Sequence, residues 1–248
     1  MKGWFALLLV SSLHVHAQVA VADSIQLEKH HVFSYKPLVV PTVLIAYGVI
    51  GLNNGQLQKI NEGIRDEVGH HIDRQIRIDD VTMYVPALSV YALNLAGDHG
   101  RHNFGECTVI FATFYLVSSG AVHALKLMTH VQRPDGSSFD SFPSGHTTLA
   151  FAGAEFLYQE YRDKSVWYGV AGYAVATGTG ILRMVNNRHW LTDVAAGAGI
   201  GILSTKMAYW IAPKINRSLF GEKKNKMGAV IAPFYSGEVT GLQIGWFF

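Results

Sequence analysis

Residues 141–150 read SFPSGHTTLA, and a long run of apolar and small residues follows them. Ser144 is a favourable N-cap, because a serine hydroxyl in that position accepts a hydrogen bond from a free backbone N–H. Gly145 lets a ligand approach the backbone closely. His146 would lie in the first turn, where the positive end of the helix dipole is expected to lower its pKa. The stretch therefore predicts a helix whose N-terminus faces an anion.

Apolar segments continue on both sides of this helix. Of the 248 residues, 49% are hydrophobic and only 15% are charged, whereas about a quarter charged is typical of soluble domains. Strand-like alternation is nearly absent until the C-terminus. Six apolar stretches cover residues 38–52, 81–97, 104–125, 146–159, 166–182 and 190–213. The pattern predicts an all-α fold, a bundle of about six core helices that is embedded in a membrane.

The two ends of the chain differ from this helical region. Residues 1–17 contain Lys2, a short apolar run and a small-residue ending at Ala17, which predicts a cleaved secretory signal peptide. An uncleaved N-terminal anchor is the alternative, and either would direct the chain out of the cytoplasm. Residues 18–213 are predicted to form the helical domain. Residues 214–248 are predicted to form a basic tail with a short hairpin.

Several classes of function are disfavoured by composition. The net charge is only +2, and no basic stripe with interleaved aromatic residues is present, so nucleic-acid binding is not expected. Cys107 is the single cysteine, which excludes an intrachain disulfide and a cysteine-based metal site. The GAGIG sequence at residues 197–201 lacks the preceding strand of a nucleotide-binding loop and predicts close helix packing instead. No cofactor and no obligate protein partner are expected.

The number of membrane spans is left open by the sequence. Only residues 104–125 have a comfortable length and composition for a span, whereas other stretches carry Glu155 or Lys206. Basic residues follow the fourth and sixth stretches, and the positive-inside rule would place those ends in the cytoplasm. The connections at 126–145 and 183–189 would then face outward. Six spans that end in the cytoplasm must also begin there, whereas a cleaved signal peptide leaves the mature N-terminus outside. Either the first stretch does not span the membrane, or the signal is an anchor or is misread, or the whole bundle is periplasmic.

Two cations precede residues 141–150, in the sequence KLMTHVQRP. Lys126 and Arg133 are seven positions apart, about two helical turns, and Pro134 is expected to end any helix at that point. Both side chains are expected to point from the end of the third helix and its exit loop toward one spot. Alone, such a pair is more often a helix cap and a solvated charge.

A second histidine follows the fifth apolar stretch, in the sequence LRMVNNRHWLTDV. His189 and Asp193 are four positions apart, which predicts that they share one face near the start of the sixth helix. The carboxylate would accept the Nδ1–H of the imidazole and leave Nε2 free as a base or nucleophile. Arg183 lies six residues before His189, at the end of the fifth helix.

The three segments together predict an anion site. Lys126, Arg133 and Arg183 are permanent cations beside helix ends. Burying three cations without partners is prohibitively costly, so a bound anion such as phosphate is the simplest explanation. Each arginine would bind two oxygens of the phosphate in a bidentate manner, and the lysine would supply a point charge.

These motifs, in this order and with these spacings, resemble the type 2 phosphatidic acid phosphatase (PAP2) superfamily. The shared pattern is Lys-x6-Arg-Pro, then Pro-Ser-Gly-His, then Arg-x5-His-x3-Asp, and the resemblance covers about residues 38–213. One position departs from it, because Leu182 stands where the family usually has a serine. That departure affects one auxiliary hydroxyl contact to the phosphate.

The resemblance implies a role for each residue of the pattern. His189 would attack phosphorus and form a phosphohistidine, with Asp193 orienting the ring. His146 would protonate the leaving alkoxide and then activate water. No metal would be needed. The phosphate would be bound by Lys126, Arg133, Ser144, Gly145 and Arg183.

The function implied is a metal-independent phosphatase for a phosphate monoester or diphosphate, with the apolar helices favouring a lipid substrate in the membrane. Its site would face the periplasm. Candidate substrates are phosphatidic acid, phosphatidylglycerol phosphate, a polyprenyl diphosphate and a phosphorylated glycolipid. Three alternatives are a soluble, broad-specificity periplasmic acid phosphatase, a vanadate-dependent haloperoxidase and a non-catalytic envelope protein.

Overall fold

The structure is a computed structural model that describes residues 35–71, 77–220, 228–235 and 240–247. The described part contains eight helices and one antiparallel hairpin. The signal peptide predicted at residues 1–17 lies outside the described residues.

The helices form the bundle, and the hairpin follows it. The helices are α1 (Lys36–Gly51), α2 (Gly55–His71), α3 (Asp79–Thr82), α4 (Val85–Leu95), α5 (Phe104–Thr129), α6 (Gly145–Tyr161), α7 (Val166–Val185) and α8 (Leu191–Phe220). The strands are β1 (Gly228–Tyr235) and β2 (Thr240–Phe247), paired with Gly228 opposite Phe247. The prediction of an all-α bundle is confirmed.

Several element boundaries differ from the sequence prediction. The second apolar stretch is divided into α3 and α4, because Pro86 in the first turn of α4 has no N–H to continue a helix from α3. Helix α5 ends before Pro134, at Thr129, where the next residue, His130, takes a left-handed conformation with φ of 48°. Helix α8 continues past residue 213, the predicted end of the helical domain, to Phe220.

Helix α6 is the centre of the bundle and packs against α4, α5, α7 and α8. Of its 17 residues, 12 are buried. Helix α8 approaches α6 closely because the face of α8 that contacts α6 carries glycines. A Cβ on Gly197 would lie 2.6 Å from the Ser144 carbonyl oxygen, and a Cβ on Gly201 would collide with the Thr148 carbonyl. The GAGIG sequence therefore serves close helix packing, as expected.

Two described helices are long and apolar enough to cross a membrane, α5 and the Leu191–Ser218 part of α8. The pair α1 and α2, bent by 93°, is a third candidate if it counts as one span. The expectation that only residues 104–125 have the length and composition of a span was wrong, because α8 also has them although it carries Lys206. The Lys206 ammonium lies 2.6 Å from Oε1 of Glu155, and the carboxylate is almost fully buried, so the two charges neutralise each other inside the bundle.

The three motifs meet at one end of the bundle. Helix α5 ends there, α6 begins, α7 ends and α8 begins. The N–H of Ser144 donates to the carbonyl of Asp193 at 3.1 Å, which fixes the start of α6 beside the start of α8. This end of the bundle therefore holds the candidate site.

Candidate active site

The start of α6 has the N-cap that the sequence predicted. The Ser144 hydroxyl accepts from the N–H of Thr147 at 3.4 Å. The backbone N–H of Ser144 is already bonded to the Asp193 carbonyl, so the expectation that it binds phosphate does not match this geometry. Among the described residues, no acceptor bonds the N–H of Gly145. Gly145 therefore provides the first free donor of the helix.

His189 lies two residues before α8 and not on it, which corrects the predicted arrangement on one helix face. Its Nδ1 lies 2.8 Å from the carbonyl oxygen of Ser141 and 3.7 Å from Oδ2 of Asp193. Nδ1–H therefore donates to the Ser141 carbonyl, and the carboxylate is the more distant neighbour. The consequence for the ring is the one expected from the sequence, because Nε2 is left without a proton in the neutral imidazole.

Asp193 is fully buried and has two donors on one oxygen. Its Oδ2 accepts from the Ser141 hydroxyl at 2.5 Å and from the N–H of Trp190 at 2.9 Å. Oδ1 has no hydrogen-bond partner. Because Asp193 bonds the N–H of Trp190, it helps to set the start of α8 after His189 rather than before it.

Burial lowers the pKa of His189 to about 4, and the positive charges of Arg183 and Lys126 act in the same direction. The nearby carboxylate of Asp193 opposes this shift but does not cancel it. His189 is therefore neutral at pH 7, and a neutral imidazole has the free electron pair that a nucleophile needs.

Lys126 and Arg133 do reach the same spot, and Asp140 lies between them. Lys126 lies in the last turn of α5 and donates to the carbonyl oxygen of Asp140, while its Nζ is 3.7 Å from Oδ2. The Arg133 guanidinium contacts both carboxylate oxygens, with Nε 3.0 Å from Oδ1 and Nη2 3.1 Å from Oδ2. Asp140 therefore partly neutralises both cations.

Arg183 is buried at the end of α7, where it contacts α3. Its Nη1 donates to Oδ2 of Asp79 at 2.5 Å, and Asn186 donates to the other oxygen at 3.2 Å. Each predicted phosphate-binding cation thus has an internal carboxylate partner. The argument that these cations require an external anion was wrong, because it counted only the residues of the three motifs.

Two donors on the arginines nevertheless remain unsatisfied. The buried Nε–H of Arg183 makes no hydrogen bond, and the buried Nε–H of Arg133 makes none either, because the Asp140 oxygen 3.0 Å from that nitrogen lies out of line with the N–H. A buried donor without an acceptor is costly. An anion that offers oxygens to both groups is therefore favoured at this position.

His146 contacts an aspartate that the motifs do not include. Its Nε2 lies 2.9 Å from Oδ1 of Asp80 on α3. Burial lowers the pKa of His146, the charge of Arg183 lowers it further, and Asp80 opposes both. The direction agrees with the sequence prediction, but burial is a larger cause than any neighbouring charge. The hydrogen bond to His146 lowers the pKa of Asp80 in turn.

Two cavities open beside the site, and His146 lines both. The arginine cavity has a volume of about 330 Å³ and is lined by Arg77, Asp79, Asp80, Arg133, His146, Arg183, Asn186 and Arg188. The apolar cavity, between α5 and α6, has a volume of about 520 Å³ and is lined by Met83, Tyr115, Ser118, Ser119, Val122, His123, Lys126, Gly145, His146, Thr148 and Leu149. A ligand at His146 can therefore contact arginines on one side and apolar side chains on the other.

One group of side chains in the described part of the chain could hold a metal ion. Ligand atoms of Asp79, Asp80 and His146 all lie within 4.8 Å of one another. Asp79 is already paired with Arg183, and Asp80 with His146. The Arg183 charge and these existing pairs oppose the binding of a cation at this position.

Sequence reasoning missed Asp79, Asp80 and Asp140. The two aspartates of α3 follow an amphipathic segment, and Asp140 lies in a loop between motifs. The adjacent acidic pair of α3 was the available signal. Its contact with Arg183, 104 positions later in the chain, could be seen only in the fold.

Comparison with known proteins matches residues 108–217 to the family model of the PAP2 superfamily. All eight site residues predicted from the sequence lie within that segment. The solved structure of a transmembrane PAP2-type phosphatidylglycerolphosphate phosphatase from Bacillus subtilis has a TM-score of 0.53 and 23% identity, and the match covers 74% of this chain and 99% of that one. The two chains therefore share a fold.

Two curated relatives are similar over shorter segments. Lipid A 1-phosphatase from Porphyromonas gingivalis is 43% identical over 146 residues, which cover 58% of this chain and 33% of that protein. Bacitracin transport permease protein BcrC from Bacillus licheniformis is 39% identical over 77 residues, covering 31% of this chain and 36% of that protein. The matches thus span about a third of the length of each relative.

Proposed function

We propose that this chain is a member of the PAP2 superfamily, whose family model matches residues 108–217, and a phosphatase that releases phosphate from a lipid phosphate monoester or diphosphate. The observation that carries the proposal is the position of His146 between the arginine cavity and the apolar cavity. A lipid phosphate has a charged group and an aliphatic chain on opposite sides of its ester oxygen. The two cavities match these two parts.

The first step of the proposed reaction uses His189 as the nucleophile. Nε2 attacks phosphorus, the bond between phosphorus and the ester oxygen breaks, and a phosphohistidine forms. The Ser141 carbonyl accepts the Nδ1–H throughout and keeps the ring oriented. The negative charge of Asp193, 3.7 Å away, stabilises the positive charge that develops on the ring.

His146 carries the proton in both steps. In the first step it donates a proton to the leaving oxygen, which would otherwise depart as an unstable alkoxide. In the second step water attacks phosphorus, His146 accepts a proton from that water, and the bond to Nε2 breaks. Inorganic phosphate leaves, and both histidines return to their initial protonation states.

The cations bind the phosphoryl oxygens and stabilise charge in the transition state. Arg133 and Arg183 offer Nε–H groups that make no hydrogen bond within the protein, and Gly145 offers the N–H at the start of α6. Lys126 adds a point charge at the end of α5. Because Asp79 and Asp140 already contact these cations, the phosphoryl group must share or displace those carboxylates. No metal takes part in this mechanism.

Relatives give candidates for the lipid. One curated relative is a lipid A 1-phosphatase, and the structural neighbour is a phosphatidylglycerolphosphate phosphatase. We include a phosphorylated glycolipid, phosphatidylglycerol phosphate, phosphatidic acid and a polyprenyl diphosphate in the same proposal, because all join a phosphate to an aliphatic tail.

We further propose that the enzyme lies in a membrane of the cell envelope with its site facing the periplasm. Helices α6 and α8 begin at the site and run away from it. Arg162 and Lys164 follow α6, and Lys214 and Arg217 lie near the end of α8. By the positive-inside rule, the ends that carry these charges are cytoplasmic, so the opposite end is outward.

The experiment is phosphate release by the purified protein in detergent micelles containing EDTA. A lipid monophosphate, a prenyl diphosphate and a soluble ester are compared, with His189→Ala as the inactive variant and His99→Ala, at an exposed loop position, as the matched control. We expect release from the lipids to persist in EDTA and to be lost only in His189→Ala. Loss of release on EDTA treatment, or equal release by His189→Ala, contradicts the mechanism, and a preference for the soluble ester contradicts the lipid assignment.

A further inference from the structure

The first turn of α8 needs a hydrogen-bond acceptor from outside the helix. The helix starts at Leu191, and Trp190, the residue before it, has no side-chain oxygen that could accept from a backbone N–H. The N–H groups at the start of a helix have no carbonyl partner within it. The Asp193 carboxylate accepts from the N–H of Trp190, so the N–H of Thr192 depends on a different acceptor.

That acceptor is Asn61, which lies on α2. Its Oδ1 accepts from the N–H of Thr192 at 3.4 Å, and its Nδ2 donates to the Thr192 hydroxyl at 3.0 Å. Asn61 is 7% exposed and Thr192 is 3% exposed, so both hydrogen bonds are shielded from solvent. Asn61 therefore caps the start of α8 from 131 positions away in the chain.

Helix α1 packs against Thr192 as well. A Cβ on Gly51 would collide with the Thr192 methyl group, and a Cβ on Gly48 would lie 2.7 Å from the Thr192 carbonyl oxygen. A larger residue at either position would push α1 away from α8. Two glycines of α1 and the amide of Asn61 therefore fix the same residue of α8.

The direction of α2 relative to α1 is itself fixed by hydrogen bonds. The two helices meet at an angle of 93°. Oδ1 of Asn54, which precedes α2, accepts from two backbone N–H groups in the first turn of that helix, at 3.0 and 3.1 Å. Nε2 of Gln58 donates to the Leu52 carbonyl at 2.9 Å. The turn therefore holds Asn61 in a defined position against α8.

The residues that α2 contacts lie on both sides of the segment that the proposed reaction uses. Asp193 directly follows Thr192, and its Oδ2 lies 3.7 Å from Nδ1 of His189. Trp190 directly follows His189, and the guanidinium carbon of Arg65, also on α2, lies 5.7 Å from the centroid of the Trp190 ring. Helix α2 therefore sets the position of residues 189–193.

We propose that Asn61 is a positioning residue, which holds the start of α8 so that Asp193 stays close enough to His189 to stabilise the positive charge on the ring. This inference rests on the proposed function of the same site. Asn61 lies outside residues 108–217, the segment that the family model matches. The cations that bind the phosphoryl group lie on α5, in the loop after it and on α7, so they do not depend on Asn61.

The test measures kcat and KM for phosphatidic acid and for p-nitrophenyl phosphate in the same detergent micelles. The full chain is assayed as wild type, Asn61→Leu and Asn61→Asp. Leucine is similar in size to asparagine and removes both hydrogen bonds, whereas the aspartate carboxylate accepts from both the N–H and the hydroxyl of Thr192. Asn94→Leu is the matched control, because Asn94 is a partly buried asparagine that contacts Tyr161 at the opposite end of α6.

We expect Asn61→Leu to lower kcat about tenfold for both substrates, because a displacement of about 1 Å at a reacting group can cost on the order of 100-fold in rate. KM should stay within about twofold of wild type, since the groups that bind the substrate are unchanged. Asn61→Asp should keep most of the wild-type kcat, and Asn94→Leu should leave kcat and KM in place.

A smaller fraction of folded protein would also lower kcat without changing KM, so the pH profile of kcat/KM is measured as well. Asp193 favours the protonated form of His189, whereas burial and the charges of Arg183 and Lys126 oppose it. Moving Asp193 away therefore lowers the pKa of His189, and the lower limb moves to lower pH in Asn61→Leu. A loss of folded protein lowers the whole profile without moving the limb.

A kcat for Asn61→Leu within about twofold of wild type overturns the inference, and so does a lower kcat with a lower limb that is unmoved or moves to higher pH. If Asn61→Leu does not fold, Thr192→Val removes only the hydroxyl that accepts from Nδ2 of Asn61. This variant should lower kcat about threefold with the same shift of the lower limb, and an unchanged kcat overturns the inference. A wild-type protein that releases phosphate from neither substrate overturns the proposed function itself.

Discussion

His189 and His146 each contact an aspartate, but their proposed roles require opposite protonation states. His189 attacks as a neutral ring, and His146 must carry a proton when the leaving group departs. Burial lowers the pKa of His189 to about 4. Burial also lowers the pKa of His146 from its usual value of 6.5, and Asp80 limits that shift. The proposed reaction therefore needs a pH above the pKa of His189 and below that of His146.

The first prediction concerns the pH dependence of kcat/KM, which reports the free enzyme. As the pH is raised, kcat/KM increases through about pH 4, where His189 loses its proton. It decreases again as His146 loses its proton, with a midpoint lower than the usual histidine pKa of 6.5. Asp80→Asn removes an interaction that favours protonated His146, so the pKa falls further and the upper limb moves to lower pH. A pH series on wild type and variant measures both limbs.

The control for this prediction is Asp163→Asn, an exposed aspartate that follows the C-terminal end of α6, pairs with Arg101 and does not line either cavity at the site. It should leave both limbs in place. An upper limb that does not move in Asp80→Asn, or that moves to higher pH, contradicts the assignment of His146 as the general acid.

Helices and their ends could be predicted from the sequence, because the periodicity of apolar residues and the capping residues are local features of the chain. Five of the six apolar stretches correspond to single helices, and the motif residues lie at helix ends as expected. The position of α3 could not be predicted. It depends on contacts with α7 that are distant in the chain, from Asp79 to Arg183 and from Thr82 to Thr179.

The partner of His189 was also beyond the reach of sequence reasoning. A spacing of four favours contact only if both residues are helical, and α8 begins at Leu191, after His189. The carbonyl of Ser141 then takes the Nδ1–H. A backbone acceptor contributed by another loop has no sequence signature.

At the level of elements, the close packing of α6 and α8 is predicted to hold the two catalytic segments in register. Gly201→Ala places a methyl group against the carbonyl of Thr148. Overpacking of this kind costs about 1–3 kcal/mol, so the melting temperature in detergent should fall, measured by thermal unfolding. Because the shift also moves Ser144 relative to Asp193, phosphate release should fall with it.

Gly178→Ala on α7 is the matched control. A Cβ at Gly178 has nothing within 4 Å, and alanine favours a helix over glycine by up to ~1 kcal/mol. This variant should melt no lower than wild type. Equal melting temperatures for the Gly201 and Gly178 variants would mean that the close contact between α6 and α8 is unimportant for stability.

On the scale of the whole molecule, the bundle joins a charged cavity and an apolar cavity at one histidine. The apolar cavity lies beside α5, one of the helices long enough to cross a membrane. A lipid can therefore extend its chain along α5 while its phosphate reaches the arginines. This arrangement predicts that the apolar cavity distinguishes lipids from soluble esters.

Ser119→Trp tests that prediction by filling the apolar cavity from α5. We expect KM for a long-chain lipid phosphate to rise several-fold, while KM for a small soluble ester changes much less, since the ester does not enter the cavity. Leu116→Trp is the control, because Leu116 is 70% exposed on the same helix and is not among the residues lining the cavity. Equal effects of the two variants on both substrates would contradict the assignment of the cavity to the lipid chain.

In the proposed mechanism the phosphoryl group is transferred to His189 before it reaches water. The most direct measurement is to mix the enzyme with a lipid substrate carrying a labelled phosphoryl group, quench within one turnover, and locate the label by peptide mass spectrometry. We expect a label on His189 that is lost in acid and retained in base, and that is absent from His189→Ala. Turnover with no covalent label, or a label on another residue, would contradict it.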